Sequence, residues 1–578
     1  MKRSIFLLVT FFLGAVISFA QPVDTAWVRR YNGTGNQEDR AYALAVDGYG
    51  YVYITGGSWG SGKTDRDYAT VKYDSSGDTI WVKRYNGSGN STDEASAITV
   101  DDSGNVYVCG TSVGVGTSED YLTIKYCSDG DTAWIRRYNG PGDDRDFAYA
   151  LAVDGSGNVY VTGGSGGSGT LWGYATIKYY PDGDTAWIRR YDGAGGPDVH
   201  AAAMAVDNSG NVYVTGSSYA PETDYDCATI KYYPGGDTAW VRRYDGVGSL
   251  FFEGAYAIGL DGSGNVYATG NSSNIGTSGD YVTVKYYPDG DTAWVRGYNG
   301  PGNQYDKASA LAVDGSGNVC VTGYSYRSGT GDDYLTIKYN SDGDTVWVRR
   351  YNGPGNGNDR ANDLAVDGSG NVYVTGYSYG SGSYHDYATI KYTSNGDIAW
   401  VARYEGPGNG DDKAWDLAVD EWGNVYVTGE SDWGVTQYDY LTIKYMQDEV
   451  FVQEDNEGTI AQSFVLFQNY PNPFNPSTTI SFSVHGKRIR ENGPVRTTQK
   501  SVYGSQFIVH SPIHITLTIY NTLGQKVRTL VDEVKLAGEY KAVWDGRDDK
   551  GNSVSSGIYL YKLESGDFSE TKKMLLLR

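Results

Sequence analysis

Tryptophan returns at fixed intervals along most of this chain. Trp27, Trp81, Trp134, Trp187, Trp240, Trp294, Trp347 and Trp400 follow one another every 53 or 54 residues. Each opens a segment such as Trp240-Val241-Arg242-Arg243-Tyr244. A glycine-rich stretch, an ALAVD segment, a DGSGN turn, an NVYVTG segment, a variable loop, a YATIKY segment and a PDGD turn come next, and the set occurs eight times. Self-similarity at such a period marks one supersecondary unit stacked repeatedly. The four apolar segments of each unit alternate with a period of two and are bounded by Gly, Asn, Asp and Pro, which predicts short antiparallel strands joined by hairpins. Four strands repeated eight times predict an all-β chain whose larger part is an eight-bladed β-propeller.

Side-chain size orders the strands within a blade. Blades converge on an axis, so the innermost strand must carry small residues, as in Ala43-Leu44-Ala45-Val46 and Ala201-Ala202-Ala203. The strand bearing Trp27, Arg29 and Arg30 needs room and water and is placed at the rim. In this phase the chain begins with a lone rim strand, Trp27 to Tyr31, and its last repeat stops at Ile443-Lys444-Tyr445 without one. The N-terminal strand is therefore expected to complete the last blade and close the ring, which also removes exposed sheet edges. Residues 21–446 are assigned to the propeller.

The 578 residues carry 47 Lys and Arg against 70 Asp and Glu, a net charge of −23. Such a chain repels phosphate backbones, and nucleic acid is not an expected partner. Residues 1–20 read as a secretory signal, with basic Lys2 and Arg3, an apolar stretch from Ile5 to Ile17 and small residues at Ser18-Phe19-Ala20. Cys109, Cys127, Cys227 and Cys320 stand at irregular spacing and read as incidental small apolar residues; no metal ligand set and no cofactor are expected. Residues 447–462 are polar and acidic and read as a linker. Beyond them, alternating segments at Ile515–Tyr520, Lys526–Val531, Tyr540–Trp544 and Ile558–Leu563 predict a small immunoglobulin-like β-sandwich over 463–578. Residues 485–513 form an insertion with Lys487, Arg488, Arg490, Arg496 and Lys500, read as a solvated excursion.

Two resemblances add to this reading. The D-G-S-G-N-V-Y-V-T-G core, as at Asp154 to Gly163, resembles the bacterial SBBP beta-propeller repeats, over about residues 24–446; it supports the fold more than any function, because propellers host many activities. The tail resembles the type A C-terminal sorting domain of the type IX secretion system. That likeness rests on Tyr470-Pro471-Asn472-Pro473-Phe474-Asn475-Pro476, on Ile519 to Gly524, on Gly557-Ile558-Tyr559, and on Lys572-Lys573-Met574-Leu575-Leu576-Leu577-Arg578. It implies an address read at the outer membrane, with the type IX secretion machinery as partner, surface lipopolysaccharide as an attachment point and a secreted or cell-surface location. A monomer is expected.

Variable loops on a fixed scaffold are where binding usually resides. The loops between second and third strands carry Trp59, Trp172, Tyr219, Tyr326, Tyr379, Tyr384, Trp433 and Tyr438, rings suited to stacking on sugars or anchoring a protein partner. Asp39-Arg40, Asp306-Lys307, Asp359-Arg360 and Asp412-Lys413 read as loop-ordering ion pairs. The sequences Asp198-Val199-His200 and Leu250-Phe251-Phe252-Glu253 break that rule. Asp47, Asp154, Asp207, Asp314, Asp367 and Asp420 invite calcium, but one Asp per turn is better explained by bonding to turn amides. No nucleophile constellation is visible and the blades look too alike to hold one pocket, so a non-enzymatic binder of a glycan or protein is expected. The alternative is a secreted polysaccharide-degrading enzyme at the channel mouth, with Glu253, His200 and His385 as the residues to inspect and two carboxylates about 5–10 Å apart as its mark.

Overall fold

The computed structural model describes residues 23–61, 65–167, 172–193, 199–246, 253–272, 279–382, 384–408, 410–434, 437–447, 464–466, 469, 472, 474–484, 487–490, 506–509, 513–535, 538–566 and 568–577. The expected leader, the linker beyond Gln447, and Phe251 and Phe252 lie outside the described residues. Residues up to Gln447 make one compact unit and those from Asp448 a second.

The first unit is eight four-stranded antiparallel sheets. Blade 1 runs Asp39–Val46, Val52–Trp59, Arg66–Tyr73 and Thr79–Tyr85 in spatial as in chain order. The first strands of neighbouring blades lie against one another all the way round, including Asp39–Val46 against Asp412–Val419. They are the inner strands that their small residues predict. Blade 8 combines Asp412–Val419, Val425–Asp432 and Tyr438–Met446 with Asp24–Tyr31 as its outermost strand. Thr25 lies opposite Tyr445, Val28 opposite Ile443 and Tyr31 opposite Tyr440, so the ring closes by pairing the two ends of the unit.

Every inner strand carries a β-bulge at one place, between Ala41 and Ala43 in blade 1 and between Ala148 and Ala150 in blade 3. Opposite it stands a second-strand glycine. A Cβ on Gly163 would lie 1.9 Å from the Phe147 carbonyl oxygen, and one on Gly56 1.9 Å from that of Arg40. The obstacle is backbone, which a rotamer change cannot relieve. Gly163→Ala is therefore expected to destabilise the disc by about 3 kcal/mol or more, the upper end of overpacking costs, read as a fall in the urea midpoint at unchanged slope. An unaltered midpoint would show that the bulge relaxes.

The outer strand joins each blade to the next, and one expectation is corrected here. The repeating tryptophans do not sit in water: they are only 5–9% exposed. Trp134 Nε1 donates to Pro181 O of the next blade at 3.1 Å, and Trp187 Nε1 to Pro234 O at 3.0 Å. The following arginine clasps the same turn, Arg136 Nε donating to Gly183 O and Arg189 Nε to Gly236 O, both at 2.6 Å. At the seam from blade 7 to blade 8 there is no such turn, because the outermost strand of blade 8 comes from the other end of the unit. Ala402 stands there in place of the clasping arginine, and Gln447 bridges instead, bonding Lys391 and donating to Gly423 O at 2.8 Å. The second arginine reaches inward: Arg403 donates within its own blade to Asp386 Oδ2 and Ser378 Oγ, both at 2.7 Å, and across to Tyr351 OH of blade 6 at 3.1 Å.

The acidic turn residues have the role assigned to them from the sequence. Asp154 Oδ1 accepts from the Ser156 and Asn158 amides at 2.9 Å, and its Oδ2 accepts from Asn158 Nδ2 and Tyr160 OH at 2.8 Å. With both oxygens so engaged, the carboxyl is held below its usual range by these bonds despite burial.

The second unit packs a three-stranded sheet (Phe464–Leu466, Thr478–Val484, Gly538–Trp544) with a four-stranded one (Ile513–Asn521, Lys526–Lys535, Gly557–Ser565, Phe568–Leu576). Leu466, Phe474, Phe482, Ile519, Trp544, Tyr561, Met574 and Leu576 share its core. Within the insertion, Lys487–Arg490 pairs antiparallel with Gln506–Val509.

Candidate binding site at the channel mouth

The bulge decides what faces the axis. An extra residue in one strand re-aims its side chain, and the eight bulged residues are Tyr42, Ser96, Tyr149, Ala202, Tyr256, Ser309, Asn362 and Trp415. Five of them, with Glu94 and His200, line a cavity of about 490 Å³ formed by the inner strands of blades 1 to 5. The blades thus differ at this position of the inner strand, which corrects the expectation that no one place is distinctive. Alignment of the repeats at this single position would have found it; the alternating pattern conceals it, because a bulge breaks the period of two.

The next ring outward is formed by Arg40, Glu94, Phe147, His200, Gly254, Lys307, Arg360 and Lys413. Four consecutive blades (6, 7, 8 and 1) present cations, each with an aromatic face beside it. Lys307 Nζ lies 3.9 Å from the Tyr256 ring centre, Arg360 4.4 Å from Tyr324, Lys413 5.5 Å from Tyr377 and Arg40 5.5 Å from Tyr438. These cations do not pair with the aspartates beside them in sequence, so that reading is corrected. Asp39 turns the other way and accepts from Gly33 N at 2.5 Å and Trp59 N at 2.9 Å. Successive residues of a strand point to opposite faces, and Arg40 finds Glu430 Oε2 at 3.0 Å instead.

Deeper in the channel, six inner strands place alanine where blades 7 and 8 place Asp363 and Asp416. The two carboxyls hydrogen-bond to each other, and burial raises both above the usual carboxylate range, Asp416 the more strongly. Two carboxyls in such contact do not readily ionise together, which favours a proton held between them. Asp363 Oδ2 also accepts from Leu417 N at 3.0 Å, and Asp416 Oδ2 from Leu44 N of blade 1 at 2.7 Å. This contact is closer than the spacing expected of a polysaccharide hydrolase.

Of the eight aromatics expected in loops, Trp59, Trp172, Tyr219, Tyr326, Tyr379 and Tyr438 lie at or near the ends of strands and only Tyr384 and Trp433 between them, and none of the eight lines the cavity. Trp59 ends a strand opposite Arg66. Trp172 lies flat on Phe147, centres 5.4 Å apart at 7°, and Phe147 in turn lies 6.2 Å from Tyr149, so this stack reaches the cavity edge. Tyr219 meets Tyr225 edge-on at 5.5 Å. The Tyr326 amide is held by Asp306 at 3.1 Å. Tyr379 packs against His385 at 5.5 Å, and Tyr384 is exposed. Trp433 carries the Arg30 guanidinium 4.2 Å above its ring, and Tyr438 lies beneath Arg40.

The three irregular residues are accounted for as follows. Glu253 occupies the place of Asp39 and repeats its work, accepting from Gly246 N at 2.9 Å and Ser272 Oγ at 3.1 Å. His385 Nδ1 sits 2.8 Å from Asp411, and His385 and Lys413 together hold the Asp411 carboxyl well below its usual range despite burial. His200 alone joins the cavity, its ring 6.2 Å from Tyr149.

In the tail, the motif around Phe474 and the end of the chain meet. Phe474 N donates to Leu575 O at 3.0 Å, Leu577 N to Phe474 O at 2.9 Å, and Leu575 N to Asn472 Oδ1 at 2.8 Å. Met574 and Leu576 point into the sandwich core, while Lys572 and Lys573 lie on the strand Phe568–Leu576. Asn475 and Pro476 are joined by a cis peptide bond. Tyr470, Pro471, Pro473 and Arg578 lie outside the described residues.

Residues 80–114, 133–169, 187–221 and 346–382 match the family described as beta-propeller repeat, SBBP. The disc contains SBBP beta-propeller repeats. Residues 494–567 match the FlgD Ig-like domain family, which agrees with the sandwich seen there. No curated protein matches the chain. Among solved structures, PorZ, a surface component of the type IX secretion system of Porphyromonas gingivalis, aligns at 13% identity and a TM-score of 0.33 over 93% of this chain and 81% of its own. A fungal alcohol oxidase with copper aligns at 12% identity and 0.37 over 82% and 95%. A protein of unknown function from Bacteroides caccae aligns at 10% identity and 0.28 over 49% and 90%. Alignments this loose carry nothing about what the SBBP disc binds or does.

Proposed function

We propose that the SBBP disc is a non-enzymatic carbohydrate-binding protein that takes its ligand at the channel mouth and works outside the cytoplasm. The observation that carries this is the cavity of about 490 Å³ walled by Tyr42, Tyr149 and Tyr256. That volume suits a small saccharide, and tyrosine offers a broad apolar face with a hydroxyl at its tip, which suits the two kinds of surface a sugar presents. The Trp172–Phe147 stack extends the same surface outward. The acids nearby are already engaged: Glu94 is paired with Arg66, Glu253 is tied to turn donors, and Asp363 is tied to Asp416. That favours binding over hydrolysis.

Export by the type IX route is supported by the leader-like residues 1–20 and by the tail's resemblance to a type A sorting domain. In this reading the contact of Asn472 and Phe474 with Leu575 to Leu577 is what the secretion machinery reads. Glycan-array screening of the full mature chain tests the binding. Tyr149→Ala and Tyr256→Ala are each expected to weaken retention about tenfold, the effect of losing a central aromatic anchor. Equal retention by both variants would move the site elsewhere, to the eight loop aromatics.

A further inference from the structure

One cation of the half-ring is unlike the other three. Arg40 has Glu430, Arg360 has Asp332 at 2.7 Å, and Lys413 has Asp411 at 2.6 Å. Lys307 has no carboxylate partner among the described residues. Its ammonium rests on the face of Tyr256, 3.9 Å from the ring centre, and Tyr256 is a wall of the cavity. A half-buried ammonium with nothing opposite it is costly, the more so in a chain with 23 surplus negative charges from which a partner could have been drawn. The neighbouring charge is of the same sign: Arg360 lies on the next blade, and burial followed by that guanidinium lowers the Lys307 ammonium below its usual range. A cation beside the cavity wall at Tyr256, without a carboxylate among the described residues and with a second cation on the next blade, makes a place where an anion gains more than it loses in leaving water.

We infer that the ligand of the channel mouth is an acidic saccharide, whose anionic group is received by Lys307 while its ring lies against Tyr256. This rests on the carbohydrate-binding reading above and narrows it to one chemical class. The anion is a carboxylate on a uronic acid or a sulfate ester, since both present oxygens to an ammonium in the same way. Selectivity follows from the arrangement: a neutral sugar leaves Lys307 without a counter-charge, while an acidic one supplies it.

Titration calorimetry on the full mature chain with an oligogalacturonate, the same oligomer after reduction of its carboxyls, and a sulfated galactan separates the outcomes. The acidic oligomer or the sulfated one is expected to bind at least tenfold more tightly than the neutral one, with affinity falling as salt rises. Which of the two binds better identifies the anion. Lys307→Met is expected to remove that preference while leaving the weaker neutral binding within about twofold, and Lys307→Arg to restore most of it. A thermal transition shared by the variants shows that the fold is intact. Neutral and acidic oligomers bound equally would overturn the inference and leave the carbohydrate site standing. No binding by any of the three would overturn both.

Discussion

A chain that begins at Asn32 is expected not to form a stable disc. The strand Asp24–Tyr31 supplies seven register pairs to Tyr438–Met446, and its loss exposes that strand's unpaired amides and carbonyls. Trp27 goes with it, and with Trp27 the contacts to Tyr73 at 6.0 Å and Tyr426 at 6.2 Å and the bond from Nε1 to Ser75 O at 3.1 Å. Losing a buried tryptophan alone costs about 3–5 kcal/mol. Arg30 is removed as well, leaving fully buried Asp439 without the guanidinium that donates to it at 2.5 Å, a further cost of about 3–5 kcal/mol. The two together consume most of the roughly 5–15 kcal/mol by which domains are stable. Size-exclusion chromatography should show aggregates where the full chain runs as a single species, and the cooperative melting transition should be lost. Trp27→Ala, which keeps the strand, should lower the transition without abolishing it. A truncated chain that melts like the parent would mean that seven blades and a three-stranded remnant suffice.

Raising the pH should weaken the disc, and Asp416→Asn should protect it. The sign follows from the direction of the shifts. Asp363 and Asp416 hold a proton more tightly folded than unfolded, because the charged form is buried beside a second carboxyl. A group whose folded value is raised contributes its full stability below the unfolded value and loses it as pH climbs through the folded one. Asp412, fully buried and pushed up to about 6, acts in the same direction. At about 1.4 kcal/mol for each unit of pKa, Asp412 alone accounts for roughly 3 kcal/mol lost between pH 4 and pH 8. Asparagine at 416 can donate to Asp363 and still accept from Leu44 N, so it reproduces the shared-proton geometry without needing a proton from solvent. Its melting temperature is expected to equal the parent's at pH 4 and to exceed it by several degrees at pH 8. Identical curves for parent and variant across that range would show that the pair is not protonated in the folded state.

Much of this molecule could be read before any coordinate was known. The eightfold recurrence of Trp27 and its siblings set the number of blades. Alternating apolar residues set four strands in each, and small residues in Ala43-Leu44-Ala45-Val46 set which strand is innermost. The lone strand at Trp27 to Tyr31 set how the ring closes. These features share one physical basis: a repeat meets the same neighbours in every copy, so local pattern and global packing impose the same demand and leave a periodic trace in the chain.

The channel mouth left no such trace. Tyr42, Tyr149 and Tyr256 face the axis because a bulge shifts the strand by one residue, and that shift is invisible in a pattern with a period of two. Lys307 was taken for the partner of Asp306, since adjacency in sequence cannot show that neighbours on a strand point to opposite faces. Asp363 and Asp416 stand 53 residues apart and acquire meaning only when blades 7 and 8 converge. The same holds in the tail, where Phe474 meets Leu576 across the whole length of the sandwich chain. Repetition wrote the scaffold into the sequence many times over, while each site residue occurs once, and only closure of the ring brings these single residues together.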